Sequence, residues 1–244
     1  MRAVSLLKHA LSKEPKRVLD LGVGNGEHAK AFISYGADVV GIDVREHPHT
    51  HPKYTHIKSP IELLDQGEDE EKYDLIWCSH ILEHMPNVQY ILVKLADWLK
   101  DDGWLYIAVP TDTQERVHIG HLTLWTPALL IYNLICAGWD CKEAEWYTSY
   151  RTIGLCVKKK RIEDMSWRTG SPDEIYDVNK YSPRVFHHEW GAWWENNWPE
   201  ELPGRCTDPP LVTINVLQTN LPPRVQMNFG PNPSFRREPG PNWR

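Results

Sequence analysis

The sequence predicts an α/β fold: a doubly wound, mostly parallel sheet of seven strands, one of them antiparallel, followed by an irregular C-terminal extension. Three observations predict it. Short apolar runs alternate with helical stretches from Met1 to Lys160. Two of those runs, around Leu75-Ile76-Trp77 and Leu105-Tyr106-Ile107-Ala108, are continuously apolar, as central strands buried on both faces are. The first run ends in three glycines at alternate positions, Gly22, Gly24 and Gly26, and a helical stretch starts directly after them.

Taken in order, the apolar runs place strands over 17–21, 38–42, 55–58, 73–78, 104–109, 141–147 and 153–157. Helices are expected over 4–11, 27–35, 88–99 and 127–137. In the third, Val88, Ile91, Leu92, Leu95, Trp98 and Leu99 recur at helical spacing and define one buried stripe. That helix is expected to stop at the turn residues Lys100-Asp101-Asp102-Gly103. Thr126 followed by Pro127 reads as the N-cap and first-turn pair of the fourth. The run Lys158 to Arg161 reads as a solvated strand end leading into a linker.

The chain has 244 residues, 41% of them hydrophobic, and a net charge of -6. Its 12 Trp and 19 Pro are unevenly spread: twelve of the prolines and six of the tryptophans fall in the last 84 residues. The expected division is therefore a domain over 1–160 and an extension over 161–244. Pro-Pro pairs at 209–210 and 222–223 interrupt the extension, and only 211–217 alternates like a strand. Its cluster Trp190, Trp193, Trp194 and Trp198 needs a surface, on the domain or on a twin subunit, or over the acceptor pocket as a lid. No apolar run approaches the roughly 18–20 residues of a membrane span, and Lys8 and His9 break the N-terminal segment as a secretory signal. The five cysteines form no CxxC pair, which favours reduced thiols in a cytoplasmic setting. The acid surplus disfavours a nucleic-acid partner.

Function is written most clearly in Val18-Leu19-Asp20-Leu21-Gly22-Val23-Gly24-Asn25-Gly26-Glu27. Glycine lets the backbone turn sharply and approach a ligand closely. Nineteen residues past Gly24, at the end of the next strand, Asp43 offers a carboxylate to both hydroxyls of a ribose. The pattern places a nucleoside across the ends of the first two strands. A dinucleotide fingerprint would set the third glycine one residue later, and Glu27 at the helix start would repel a pyrophosphate. That disfavours a nicotinamide oxidoreductase. An acid just before the glycines, Asp20, suits a ligand bearing an amino group.

DLGVGNG, then GIDV, then YDLIWCSHILEHM resembles the class I S-adenosylmethionine-dependent methyltransferases over about residues 15–158, and among them the small-molecule enzymes of the ubiquinone-biosynthesis O-methyltransferase kind. The resemblance implies a Rossmann-like fold and S-adenosyl-L-methionine as cofactor. It implies that Asp20, Gly22, Gly24, Asn25 and Gly26 surround the methionine part and that Asp43 takes the ribose. It also implies Val44 beside the adenine, and Cys78, Ser79 and His80 under the sulfonium. The family often has an acid after the third strand; here Ser59 and Pro60 stand in that stretch, so a hydroxyl or the backbone serves the adenine instead. A nucleic-acid methyltransferase would carry an Asn/Asp-Pro-Pro-Tyr/Phe segment where this chain reads Cys78-Ser79-His80-Ile81.

Methyl transfer needs a base only when the acceptor must lose a proton, and histidine serves near neutral pH. His80 and His84 follow the fourth strand, and His118 and His121 follow the fifth, the last in a Gly-His-x-x-x-Trp-Thr stretch similar to one in the resembled enzymes. The base candidates are His121, His118 and His80. A metal held by His118, His121 and Glu83 is not expected, because that spacing shows no fixed ligand geometry. His47, His49, His51 and His56 lie in a proline-broken loop and read as a rim. The activity expected is methylation of a hydroxyl or amine on a small molecule, a sugar or secondary metabolite by preference. The rival reading is a non-catalytic cofactor-binding module acting in assembly.

Overall fold

The computed structural model describes residues 3–46, 50–64, 72–111, 118–149, 151–166, 180–183 and 206–207. In chain order the elements are α1 (Val4–Ser12), β1 (Arg17–Leu21), α2 (Glu27–Ser34), β2 (Asp38–Asp43), β3 (Tyr54–Lys58), β4 (Tyr73–Ser79), α3 (Val88–Trp98), β5 (Leu99–Pro110), α4 (Pro127–Cys136), β6 (Glu145–Ser149), β7 (Thr152–Lys158) and the two-residue β8 (Cys206–Thr207). The sheet order is β3-β2-β1-β4-β5-β7-β6-β8. Strands β3 to β5 run parallel, and β7 is antiparallel to both its neighbours. The seven expected strands are present in a doubly wound sheet.

Alternate residues of each strand feed two cores. Leu19, Leu21, Ile76, Cys78, Leu105 and Ile107 face α3 and α4. Val18, Leu75, Trp77, Tyr106 and Ala108 face α1 and α2. Trp77 is fully buried, with the rings of His28, Phe32 and Tyr106 at 5.0, 5.8 and 6.0 Å. Thr126 caps α4 as expected, its hydroxyl accepting the Leu129 N–H at 3.1 Å, and Asn87 caps α3 through Tyr90 N–H.

Three local expectations are corrected. The Lys100–Gly103 stretch is not a turn ahead of a strand: α3 passes straight into β5 at Leu99, and these residues bulge inside the strand. The backbone packs closely at Gly103, where a Cβ would lie 2.8 Å from Leu99 Cδ2, 3.0 Å from the Lys100 carbonyl and 3.1 Å from the Asp74 carbonyl. The sixth strand starts at Glu145, because residues 141–144 form a turn closed by Ala144 N–H on the Cys141 carbonyl. Lys158, Lys160 and Arg161 are exposed, as expected of a solvated strand end, but Lys159 to Arg161 are tied down instead of opening a linker. Lys159 Nζ donates to the Leu99 carbonyl and to Asp101, Lys160 pairs with Asp140, and Arg161 pairs with Asp97 and bridges Trp139. Ile162 then enters the core, and the Tyr181 carbonyl accepts the Cys141 N–H at 2.8 Å. The aromatic cluster 190–198 and the run 211–217 lie outside the described residues.

Asp74 ties the start of β1 to β4 and the bulge. Its carboxylate accepts Arg17 N–H at 2.7 Å, Lys16 N–H at 3.0 Å and Lys100 Nζ at 2.8 Å. Partial burial raises its pKa, and the Lys100 ammonium with the two N–H groups more than reverses this, so the net shift is downward from 3.8. A depressed carboxyl contributes stability above its unfolded pKa that is lost as pH falls through the folded one. Asp74→Asn is expected to lower unfolding free energy by about 1–2 kcal/mol at pH 7. In denaturant titrations its deficit against the parent should shrink below pH 4; a pH-independent deficit would mean the charge plays no part.

Candidate functional site

The sheet changes winding direction between β1 and β4, so the loops leaving those strands diverge and open a crevice at their C-terminal ends. The glycine loop forms one wall. Gly22 and Val23 N–H both donate to the Ile42 carbonyl, at 2.8 and 3.1 Å, and Gly26 N–H closes the turn on Val23. Gly22, Gly24 and Gly26 have φ of +66°, +54° and +72°, the left-handed region that side chains resist. A Cβ on Gly22 would meet Ile81 Cδ1 at 2.9 Å, so this residue packs the loop against the segment after β4. A Cβ on Gly24 would have nothing closer than 3.7 Å, which leaves that side of the loop open to a ligand. Gly26 heads α2, and Asn25 beside it is exposed.

Two carboxyl groups flank the loop in opposite states. Asp43 accepts Gly24 N–H at 3.0 Å through Oδ2 and Arg45 N–H and Nε through Oδ1. Burial alone raises its pKa, but these donors and the guanidinium charge bring it below its ordinary value, so it is ionised at neutral pH. Asp20 lies in register with Trp77 and Gly41 under α2 and is 1% exposed. Burial pushes its carboxyl up to about 8, with the Asp43 charge adding and an Ala29 N–H opposing. Its Oδ2 has no partner in the protein. A protonated acid with an idle oxygen next to a backbone cradle suits a cationic ligand group, which would restore its charge.

The other proposed cofactor residues are placed as follows. Val44 is exposed beyond Asp43. Ser59 N–H donates to the Asp43 carbonyl, Ser59 Oγ to that of Pro60, and Pro60 is exposed. The Cys78 thiol lies in the core, where burial raises its pKa, so its side chain is not offered to the crevice. Ser79 ends β4. His51 and His56 bond to neighbouring backbone, His56 to the Arg45 carbonyl at 3.0 Å; His47 and His49 lie outside the described residues.

Across the crevice the histidines gather around Glu83. His80 has φ +55°, donates its N–H to Ala108, and sets Nδ1 3.3 Å from Glu83 Oε1 while buried Nε2 has no partner. Glu83 is 1% exposed, and its Oε2 likewise lacks a partner. Its backbone carbonyl accepts Leu122 N–H at 2.6 Å and Thr123 N–H at 3.4 Å, strapping the loop after β5 onto the loop after β4. His84 Nδ1 lies 2.7 Å from the Gly120 carbonyl, and its ring meets that of His121 edge-on at 4.9 Å. His118 lies 5.3 Å from His121. Burial lowers the His121 pKa, Glu83 opposes, and the other three histidines add to the lowering. One ligand atom each from Glu83, His84 and His121 lie within 4.8 Å of one another, a set able to hold a divalent ion and different from the trio weighed on spacing. Glu83 and Arg45 are the contributors that sequence reasoning underweighted. The available signal for Glu83 was an acid set among the apolar residues Ile81, Leu82 and Met85.

Comparison with known proteins gives a consistent picture. A family model described as a methyltransferase domain matches residues 2–151. The chain is 30% identical over 154 residues to (S)-coclaurine N-methyltransferase of Papaver somniferum, covering 59% of this chain and 38% of that protein. It is 29% identical over 143 residues to a ubiquinone biosynthesis O-methyltransferase of Hydrogenovibrio crunogenus, covering 55% and 58%. The chain thus spans between about a third and three-fifths of these relatives' length. Its fold resembles that of Burkholderia thailandensis 1,6-didemethyltoxoflavin-N1-methyltransferase, solved with S-adenosylhomocysteine, with a TM-score of 0.55 at 23% identity over 65% of this chain and 77% of that one.

Gly22→Ala is expected to destabilise more than Gly24→Ala. Both add left-handed strain of about 1–2 kcal/mol, but only the first drives a methyl into Ile81. Thermal unfolding of the two variants checks this; equal losses would mean that Ile81 yields without penalty.

Proposed function

Because the chain belongs to the methyltransferase-domain family, we propose that it transfers a methyl group from S-adenosyl-L-methionine to a hydroxyl or amine of a small molecule. The observation that carries this reading is the left-handed glycine loop, open at Gly24, flanked by ionised Asp43 and idle Asp20 and faced by the histidines around Glu83. Relatives named for O- and for N-methylation keep both acceptor atoms in the proposal. A sugar or secondary metabolite is the finer reading, supported by the acid surplus that disfavours nucleic acid.

The residues present fit this cofactor. Asp43 would take the ribose hydroxyls, with the exposed Arg45 side chain yielding its oxygen, and Val44, Ser59 and Pro60 would border the adenine. Gly22, Gly24, Asn25, Gly26 and Asp20 would hold the methionine portion, and the backbone of Cys78 and Ser79 with His80 would floor the reacting end. When bound, the cofactor supplies an electrophilic methyl on a positively charged sulfur. The chain's remaining tasks are to align the acceptor, exclude water and accept a proton.

His121 is the proton acceptor in this reading. Its lowered pKa keeps the ring neutral near pH 7, so a lone pair is available to an acceptor O–H or N–H. His118 lies at its side. Glu83 orients His80: with Nδ1–H given to the carboxylate, the buried Nε2 is left with its lone pair unpartnered. The same Glu83 carbonyl holds Leu122 and Thr123 in place over this side.

Asp43→Ala is expected to weaken S-adenosylmethionine binding by about 1–3 kcal/mol through lost charge-assisted hydrogen bonds. Calorimetry giving an unchanged affinity would misplace the ribose site. His121→Ala is expected to lower kcat about a hundredfold or more while cofactor affinity holds. The parent's rate should fall as pH drops below a pKa lying under 6.5, the point at which the base becomes protonated, and the variant should lose that limb. S-adenosylhomocysteine release across an acceptor panel measures both. No release with any acceptor would favour the non-catalytic binding module.

A further inference from the structure

A second polar cluster stands apart from the crevice, where α1 crosses the antiparallel edge of the sheet. Glu145 of β6, Cys156 of β7 and Tyr106 of β5 share one cross-strand row, each in register with the next. His9 of α1 comes down onto that row. Its Nδ1 lies 3.5 Å from Cys156 Sγ and 3.1 Å from the Tyr106 hydroxyl, and its Nε2 lies 3.7 Å from Glu145 Oε2. The last distance is too long for a hydrogen bond. One ligand atom from each of His9, Glu145 and Cys156 falls within 4.8 Å of the other two.

We propose that His9, Cys156 and Glu145 form a binding site for a zinc-class divalent cation that clasps α1 to β6 and β7. The donor set of one imidazole, one thiolate and one carboxylate is zinc's, and the sulfur argues against magnesium or calcium. With Zn–N near 2.0 Å and Zn–S near 2.3 Å at a tetrahedral angle, the N···S edge is about 3.5 Å. The separation between Nδ1 and Sγ matches that edge. Glu145 is half-exposed, and its Oε2 stands on the Nε2 side of the ring where it accepts the Tyr147 hydroxyl at 3.0 Å, so ligation at Nδ1 requires this exposed side chain to swing its carboxylate toward Cys156. Three protein ligands leave a fourth position for water.

The alternative use of a Cys-His-Glu set, as a nucleophile with its base, fails here. Burial pushes the Cys156 thiol up to about 12, so it is not an activated nucleophile. A cation entering past Glu145 would displace the thiol proton to solvent. Lys13 is the cation facing the cluster, and its ammonium is drawn onto the Trp104 ring at 4.4 Å.

Cobalt(II) titration of the full, chelator-stripped chain tests the site. One equivalent should produce a thiolate-to-cobalt charge-transfer band that Cys156→Ser abolishes. His121→Ala should leave the band intact, because the cluster around Glu83 contains no thiol. Zinc should raise the Tm of the parent. Glu145→Gln, at an exposed position that spares folding, should weaken zinc binding at least about tenfold. Absence of the band, its persistence in Cys156→Ser, or an equal zinc-induced rise in Tm in the parent and in both Cys156→Ser and Glu145→Gln would overturn the proposal.

Discussion

A single carbonyl organises the crevice. Ile42 accepts both Gly22 and Val23 N–H, and this pins the turn after β1 to the end of β2. The chain must then reverse within five residues to enter α2, which forces Gly22, Gly24 and Gly26 into left-handed conformations. That turn brings Gly24 N–H to Asp43, places Gly22 against Ile81, and buries Asp20 beneath the loop. Neither wall of the crevice keeps its place if the loop slips, because the segment after β4 is positioned through Ile81.

The electrostatics follow from depth. Asp43 sits at a strand end where backbone N–H groups and an exposed guanidinium keep it charged. Asp20, one strand away and fully covered, is held largely protonated at neutral pH. A ligand with a ribose at one end and cationic groups at the other matches that asymmetry without rearrangement of the sheet. On the facing side Glu83 plays two parts, with its carboxylate on His80 and its carbonyl on the loop bearing His121.

What was legible in the sequence was whatever local pattern decides. The apolar runs at Leu75 and Leu105 became central strands, Thr126-Pro127 became a helix start, and the three glycines became the turn. Long-range partners were not legible. Lys100-Asp101-Asp102-Gly103 has turn composition, yet the Asp74 carboxylate and a close backbone approach at Gly103 make it a bulge within β5. The basic run 158–161 is largely exposed, as its composition indicates, but its pairing with Asp97, Asp101 and Asp140 was not legible because those acids are distant in sequence. The role of Glu83 depends on burial, which a single acid in an apolar stretch hints at and cannot fix.

Everything proposed for the crevice depends on a nucleoside lying between the glycine loop and Asp43. The most direct measurement is a crystal structure of the protein with S-adenosylhomocysteine. Both ribose hydroxyls are expected on the Asp43 carboxylate and the methionine portion along Gly22–Gly26, above the buried Asp20. A nucleoside bound elsewhere, or one whose ribose leaves Asp43 on Gly24 and Arg45 as it is here, would contradict this placement.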